Sequence, residues 1–178
     1  MNLKCECGGA LRKATLRDYD FSPLSGLPVR LVEVAGYRCT RCKGETLDGA
    51  AIEHHLDVLT AEVLKVDRLL LPDEARYLRK RLGLSQKELA ERMRVVRETV
   101  AAWECGQKAL SEQHEYILRS LVFHHERGMS AGAVDAIRDT LSHVGREPLV
   151  AREPAPRYEI RDAGLVLKKE KDEGGKDE

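Results

Sequence analysis

Residues 84–106 of the chain read LSQKELAERMRVVRETVAAWECG, and this stretch decides the fold. Ser85 followed by Glu88 forms the capping-box pattern, which predicts that a helix begins at Gln86. The core positions predicted on this helix are Leu89, Ala90 and Met93. The alanine among them is small enough to let a second helix cross closely.

A break near residues 94–95 separates this helix from a second short one. In the second helix Val100 and Trp103 fall on one face, which predicts that they are buried against the first helix. Gly106 is placed to end it, because glycine adopts the left-handed conformation that often terminates a helix. The stretch therefore predicts two short helices joined by a tight turn.

This pattern, L-S-Q-x-E-L-A…V…W-E-x-G, resembles the lambda-repressor and Cro-like (Xre) helix-turn-helix family over residues 72 to about 122. The resemblance implies that the second helix lies in the major groove of DNA and presents its first residues to base edges. The chain departs from the family twice. Arg94 stands at the turn position where the family usually has glycine, and Val96 replaces the usual Ser or Thr cap.

The exposed side chains expected on the second helix are Arg97, Glu98, Ala101 and Ala102. Arginine pairs with guanine, glutamate accepts from cytosine, and an alanine methyl can touch a thymine methyl. Gln86, at the start of the preceding helix, is expected to meet a phosphate, as family members suggest. The alternative is a small helical bundle in which the same pattern serves packing alone.

Four cysteines lie in the first 42 residues, as the pairs Cys5/Cys7 and Cys39/Cys42. Two cysteine pairs around a β-rich insert favour a structural zinc site with four thiolate ligands, which has no open position for substrate. The one-residue spacing of the first pair precludes the usual two-residue knuckle, and His54 or His55 is an alternative ligand to Cys7. If no metal binds, the four cysteines are free thiols or a redox pair. The fifth cysteine, Cys105, is interpreted as an isolated surface thiol, with a redox switch on DNA binding as the alternative.

Between the cysteine pairs, residues 10–19 and 29–34 are predicted strands, and Ala35-Gly36 is a predicted tight turn. A long helix is predicted from an Asp48 cap to about residue 66. Pro72 then suits the first position of a new helix.

The fold class predicted is α+β: a small zinc-stapled β-rich N-terminal domain with a long helix, an all-α helix-turn-helix domain and a partly disordered tail. The predicted bounds are 1–70, 71–127 and 128–178. Within the tail, residues 130–143 suggest a helix, 157–167 one strand, and 168–178 a disordered charged run.

Thirty basic and thirty acidic residues cancel, so no overall field draws the protein onto nucleic acid. Residues 72–119 nevertheless carry ten Lys/Arg against eight Asp/Glu. Neither a signal peptide nor a membrane-spanning run is apparent, and a cytoplasmic protein without membrane contact is expected. An odd number of cysteines argues against a disulfide framework.

The order of C-x-C-G-G, β insert, C-x-x-C-x-G-E, long helix and helix-turn-helix resembles the MqsA-type antitoxin family with its YgiT-type zinc finger, over about residues 3–122. The resemblance implies a zinc domain that binds a protein toxin and a homodimer that represses its operon at a palindromic operator. The family's base-reading arginine and asparagine align with Ala102 and Glu98, so its operator sequence does not carry over. A stand-alone Xre-family regulator is the alternative; no sequence feature predicts an enzyme or a catalytic residue.

Overall fold

A computed structural model describes residues 4–125, 157–161 and 164–168. The strands are β1 Leu11–Leu16, β2 Tyr19–Asp20, β3 Val29–Val32, β4 Val34–Cys39, β5 Glu45–Thr46, β6 Arg157–Arg161 and β7 Gly164–Lys168. The helices are α1 Ser22–Ser25, α2 Gly49–Leu64, α3 Pro72–Arg81, α4 Gln86–Met93, α5 Arg97–Glu104 and α6 Glu112–His125. The chain divides into two compact units, residues 1–52 with 154–178 and residues 53–153. The predicted α+β class, with a β-rich start followed by helices, is confirmed.

The first unit contains two sheets. One is antiparallel, in the order β1-β4-β5, and its register places Leu11 opposite Cys39. The other has the order β2-β3-β6-β7, and its core includes the buried side chains Val29, Leu31, Tyr158 and Ile160. The first of these sheets carries the second cysteine pair at one end.

The predicted turn at Ala35-Gly36 is wrong, because both residues lie inside β4. The chain passes from β3 to β4 through Glu33 alone, which has a φ of 57°. Gly36 serves packing: a Cβ on it would lie 2.6 Å from Cδ1 of Leu16 and 3.0 Å from the carbonyl oxygen of Thr46. A glycine inside a strand can mark a close approach of neighbouring atoms as well as a turn.

The tail contributes two strands to the first unit, where one was predicted. β6 runs parallel to β3, with Val29 opposite Tyr158 and Leu31 opposite Ile160, and β7 pairs antiparallel with β6. The helix predicted at 130–143 lies outside the described residues. Of the charged run predicted at 168–178, Lys168 ends β7 and residues 169–178 lie outside the described residues. The predicted domain bounds of 1–70, 71–127 and 128–178 therefore remain a prediction.

Two further helix starts were predicted from the sequence. The Asp48 carboxylate accepts a hydrogen bond from the Ala51 N–H at 2.8 Å and caps α2. Pro72 occupies the first turn of α3, and α3 packs on α5 and α6. None of the helices in the described part of the chain has the length and apolar character that crossing a bilayer requires.

Arg119 of α6 ties the end of α2 and the segment after it to the helical core. Its side chain is 0% exposed. Its guanidinium donates to the carbonyl oxygens of Leu64 and Arg68 and to the Glu115 carboxylate, the last at 2.8 Å. The other oxygen of Glu115 accepts from the Leu70 N–H at 2.8 Å. We call these five residues the Arg119 cluster.

Candidate nucleic-acid interface and metal centre

The predicted capping box begins α4. The Glu88 N–H donates to Oγ of Ser85 at 3.2 Å, and the Ser85 N–H donates to a Glu88 carboxylate oxygen at 2.7 Å. Two otherwise unpaired backbone donors are satisfied in this way. The hydrogen bonds from Ser85 lower the pKa of Glu88. The helix start predicted from the sequence is confirmed.

The turn between α4 and α5 passes through Arg94, which adopts the left-handed conformation with φ 54° and ψ 41°. The N–H of Val95 then returns to the Ala90 carbonyl oxygen at 3.0 Å. This conformation costs an L-residue other than glycine about 1 kcal/mol. A sharp turn is thus made at some expense in strain.

Val96 is the N-cap residue before α5; its side chain is 63% exposed and makes no capping hydrogen bond. The predicted inner face is confirmed, since Val100 and Trp103 are 1% and 4% exposed. Gly106 follows the helix with a φ of 75°, as its position predicted. α5 is therefore anchored by one apolar face and leaves the other toward solvent.

A buried ion pair fixes the far end of α5. Glu104 receives two hydrogen bonds from the Arg79 guanidinium, one of them at 3.0 Å, and a third from the Gln86 amide at 2.9 Å. Burial by itself would raise the pKa of Glu104, but the hydrogen bonds from Arg79 and Gln86 lower it below its ordinary value. The carboxylate is therefore ionised and joins α3, α4 and α5 at one point.

The predicted base-reading residues share the outer face of α5. Arg97 and Glu98 have side chains that are 60% and 77% exposed, and Ala101 and Ala102 are half-buried. Arg97 and Glu98 approach no closer than 3.9 Å, so they pair weakly. Gln86 is half-buried and its amide already donates to Glu104, a contact that the sequence did not predict.

The four N-terminal cysteines come together in the first unit. Their Sγ atoms all lie within 4.8 Å of one another, with Cys5 to Cys42 at 3.6 Å and Cys7 to Cys39 at 3.5 Å. A tetrahedral zinc ion with bonds of about 2.3 Å would separate its sulfurs by about 3.8 Å. The spacing thus fits a four-coordinate metal ion, and within the described ranges the cluster includes Cys7 and neither His54 nor His55.

Two glycines make the C-x-C spacing workable. Gly8 has a φ of 81°, and its N–H donates to the Cys5 carbonyl oxygen at 2.8 Å, which turns the chain back on itself. A Cβ on Gly9 would lie 2.6 Å from Sγ of Cys39, so only glycine lets the first pair approach the second. The Gly-Gly pair after Cys7 replaces the usual knuckle, and it is the sequence signal for this geometry.

The pKa values of two thiols in the cluster are shifted in opposite directions. Hydrogen bonds from the backbone N–H groups of Cys42 and Arg41 lower the pKa of Cys39 to about 6. At Cys5 a backbone hydrogen bond from Cys7 lowers the pKa, but side-chain contacts with the neighbouring thiols raise it to about 12. Four thiolates this close repel one another unless a cation lies between them, and metal ions bind the thiolate form. The donor set therefore suits a metal.

Two clusters of polar residues were not predicted from the sequence, the one at Glu104 and the Arg119 cluster. Glu104 was interpreted only as part of the family pattern, and the i,i+4 spacing of Glu115 and Arg119 indicates a helical pair without indicating burial. Cys105 is exposed at the end of α5 and lies outside the metal cluster, in line with its interpretation as a surface thiol.

Comparison with known proteins adds one match. A family model described as helix-turn-helix matches residues 76–114, from within α3 to the start of α6. No curated protein matches the chain. The match and the α4-turn-α5 geometry together define this part of the chain as a DNA-binding helix-turn-helix module, the type found in Xre-like transcription regulators. The helix-turn-helix part of the predicted resemblance is thereby confirmed.

Proposed function

We propose that the protein is a cytoplasmic transcriptional repressor and the antitoxin of a type II toxin–antitoxin pair. In this proposal the helix-turn-helix module represses the protein's own operon, and the N-terminal unit neutralises a protein toxin. The observation that supports both halves is their combination in one chain: a four-cysteine cluster in a β-rich unit, followed by a DNA-binding module.

The outer face of α5 supports the DNA half. A major groove admits an α-helix, and a helix held by Val100 and Trp103 on its inner face offers Arg97, Glu98 and Ala101 to base edges. Arg97 would pair with guanine and Glu98 with cytosine, while Ala101 or Ala102 would touch a thymine methyl.

Gln86 is proposed to contact a phosphate from the start of α4. Its amide is held by Glu104 at 2.9 Å, which fixes the side chain next to the helix end where backbone donors point outward. The phosphate would therefore be contacted by the second N–H of the Gln86 side-chain amide or by the backbone N–H of Gln86. A homodimer would repeat this geometry at two half-sites of a palindromic operator, roughly 34 Å apart.

Zinc is the metal proposed for the cluster formed by Cys5, Cys7, Cys39 and Cys42. Four cysteine ligands close the coordination sphere, so the ion would supply structure and leave no position for substrate. The zinc-bearing unit then serves as a rigid surface for a partner protein, which is the role proposed for it in toxin binding.

Footprinting of the protein on the DNA upstream of its own gene tests the repressor half. We expect protection with dyad symmetry, and Arg97→Ala should weaken binding by about 1–3 kcal/mol, which corresponds to roughly 5- to 150-fold. Arg17→Ala, an exposed arginine in the first unit, is the matched control and should bind as the wild type does. Protection without dyad symmetry would contradict the homodimer, and equal binding by both variants would contradict the role of Arg97.

Co-expression with the product of the neighbouring gene tests the antitoxin half. We expect a stable complex that survives purification and relieves growth arrest caused by that product. A fragment of residues 1–52 is a poor substitute, because β6 also belongs to the first unit. The full chain should therefore be used, with Cys39→Ser as the variant that loses the complex. DNA binding without any such complex would favour the stand-alone Xre-family regulator.

A further inference from the structure

Arg94 is strained, and the described structure offers no contact that compensates for it. Three residues other than glycine have positive φ in the described part of the chain: Glu33, Lys43 and Arg94. Lys43 secures its loop through a hydrogen bond from Nζ to the Thr40 carbonyl oxygen at 3.2 Å. The Arg94 side chain is exposed and has neither a hydrogen bond nor an ion pair with any described residue.

Glycine would make the same turn without strain, since it has no Cβ to collide with the backbone. The backbone itself needs only the N–H of Arg94, which points to the carbonyl oxygens of Ala90 and Glu91. The turn therefore does not require an arginine. Strained backbone conformations cluster at active sites, ligand clamps and switch regions.

The position of Arg94 limits what that ligand can be. Arg94 precedes Arg97, the first residue of α5, by three residues, so their Cα atoms lie within about 11 Å of each other. The major groove that would receive α5 is about 12 Å wide and is bordered by phosphates. An arginine at the entry to α5 is thus within reach of the groove edge, and its planar guanidinium is suited to bidentate binding of phosphate.

We propose that Arg94 is a DNA-positioning residue whose guanidinium binds a backbone phosphate at the edge of the groove that α5 enters. This inference rests on the proposed DNA-binding function and deepens it. The contact carries no base information, so it fixes the orientation of α5 and adds affinity for every sequence. The backbone strain at Arg94 is then offset by the phosphate contact that its guanidinium makes in the complex with DNA.

The test is the variant Arg94→Gly. Relief of strain should raise the stability of the protein, whereas loss of the phosphate contact should lower its affinity for DNA. We expect the urea midpoint to rise, while affinity for a random-sequence DNA duplex of about 30 base pairs falls about tenfold, as for loss of a charge-assisted hydrogen bond. The slope of log affinity against log salt should shrink by about 0.9, the value for one phosphate contact. Arg94→Lys should keep the slope and gain no stability.

Glu33→Gly is the matched control, since it relieves a φ of 57° in the first unit and should leave DNA binding unchanged. If Arg94→Gly binds with the affinity and salt slope of the wild type, the inference is overturned while the proposed function stands. If Arg94→Gly and Arg94→Asn both lose stability, the premise of strain is wrong and the inference falls. If the wild type binds neither the random duplex nor its own upstream DNA, the proposed function itself fails.

Discussion

Removing the proposed zinc ion with a chelator is expected to unfold the residues around the four-cysteine cluster. Structural zinc contributes about 10–16 kcal/mol in small zinc-finger peptides, which is comparable to the entire stability of a typical domain, about 5–15 kcal/mol. Without a cation, thiolates within 4.8 Å of one another also repel each other, which destabilises the folded cluster. Hydrogen exchange at the β1 and β4 amides, compared with and without chelator, measures the loss.

The single tryptophan gives this experiment an internal reference. Trp103 is the only tryptophan in the chain and lies in the second unit, so its fluorescence follows the helical unit separately. Cys39→Ser should abolish the bound metal, whereas Cys105→Ser, a cysteine outside the cluster, should retain it. Equal metal content in both variants, or unchanged exchange after chelation, would show that the cluster is not a structural metal site.

Arg119→Met is expected to destabilise the second unit by about 3–5 kcal/mol, the range for breaking a buried ion pair. Methionine preserves most of the buried volume, so the loss comes from the missing charge. The Glu115 carboxylate, 2% exposed, would keep only the Leu70 N–H, and the carbonyl oxygens of Leu64 and Arg68 would lose their donor. Urea unfolding followed by Trp103 fluorescence measures the change.

Arg92→Met is the matched control, because Arg92 is an exposed arginine on α4 of the same unit. Its effect should stay within about 0.5 kcal/mol. The double variant Glu115→Gln with Arg119→Met should recover part of the loss, since it removes the uncompensated charge and leaves an acceptor for Leu70. Similar losses in Arg119→Met and Arg92→Met would mean that the Arg119 cluster does not hold the end of α2 in place.

Local chemistry explains why the helix-turn-helix was predictable. The features that mark it each lie within a short stretch of sequence: the capping box of Ser85 and Glu88, the apolar face of Val100 and Trp103, and the terminating Gly106. A pattern of that range can be recognised from the chain alone. The clustering of the four cysteines was predictable for a different reason: two short cysteine pairs in one chain are typical of a metal site, which brings the four thiols together.

What escaped prediction depends on partners distant in sequence. Gly36 was interpreted as a turn because glycine is ambiguous until Leu16 and Thr46 are known to flank it. Two strands form where one was expected, since the β6 side chains Tyr158 and Ile160 find their burial beside β3, over a hundred residues earlier. Gln86 was expected to be available to phosphate, but Glu104 on another helix holds its amide.

The parallel pairing of β3 with β6 also sets an order of events during synthesis. β3 is made early, yet its neighbour at residues 157–161 leaves the ribosome only after all the helices of the second unit described here. At about 5–20 residues per second, the β3 edge stays open for on the order of ten seconds. Helical structure forms faster than strand pairing between segments distant in sequence, so those helices can form in that interval. The portion of the chain that is translated first is therefore completed last, and the β3 edge stays unpaired while the helices form.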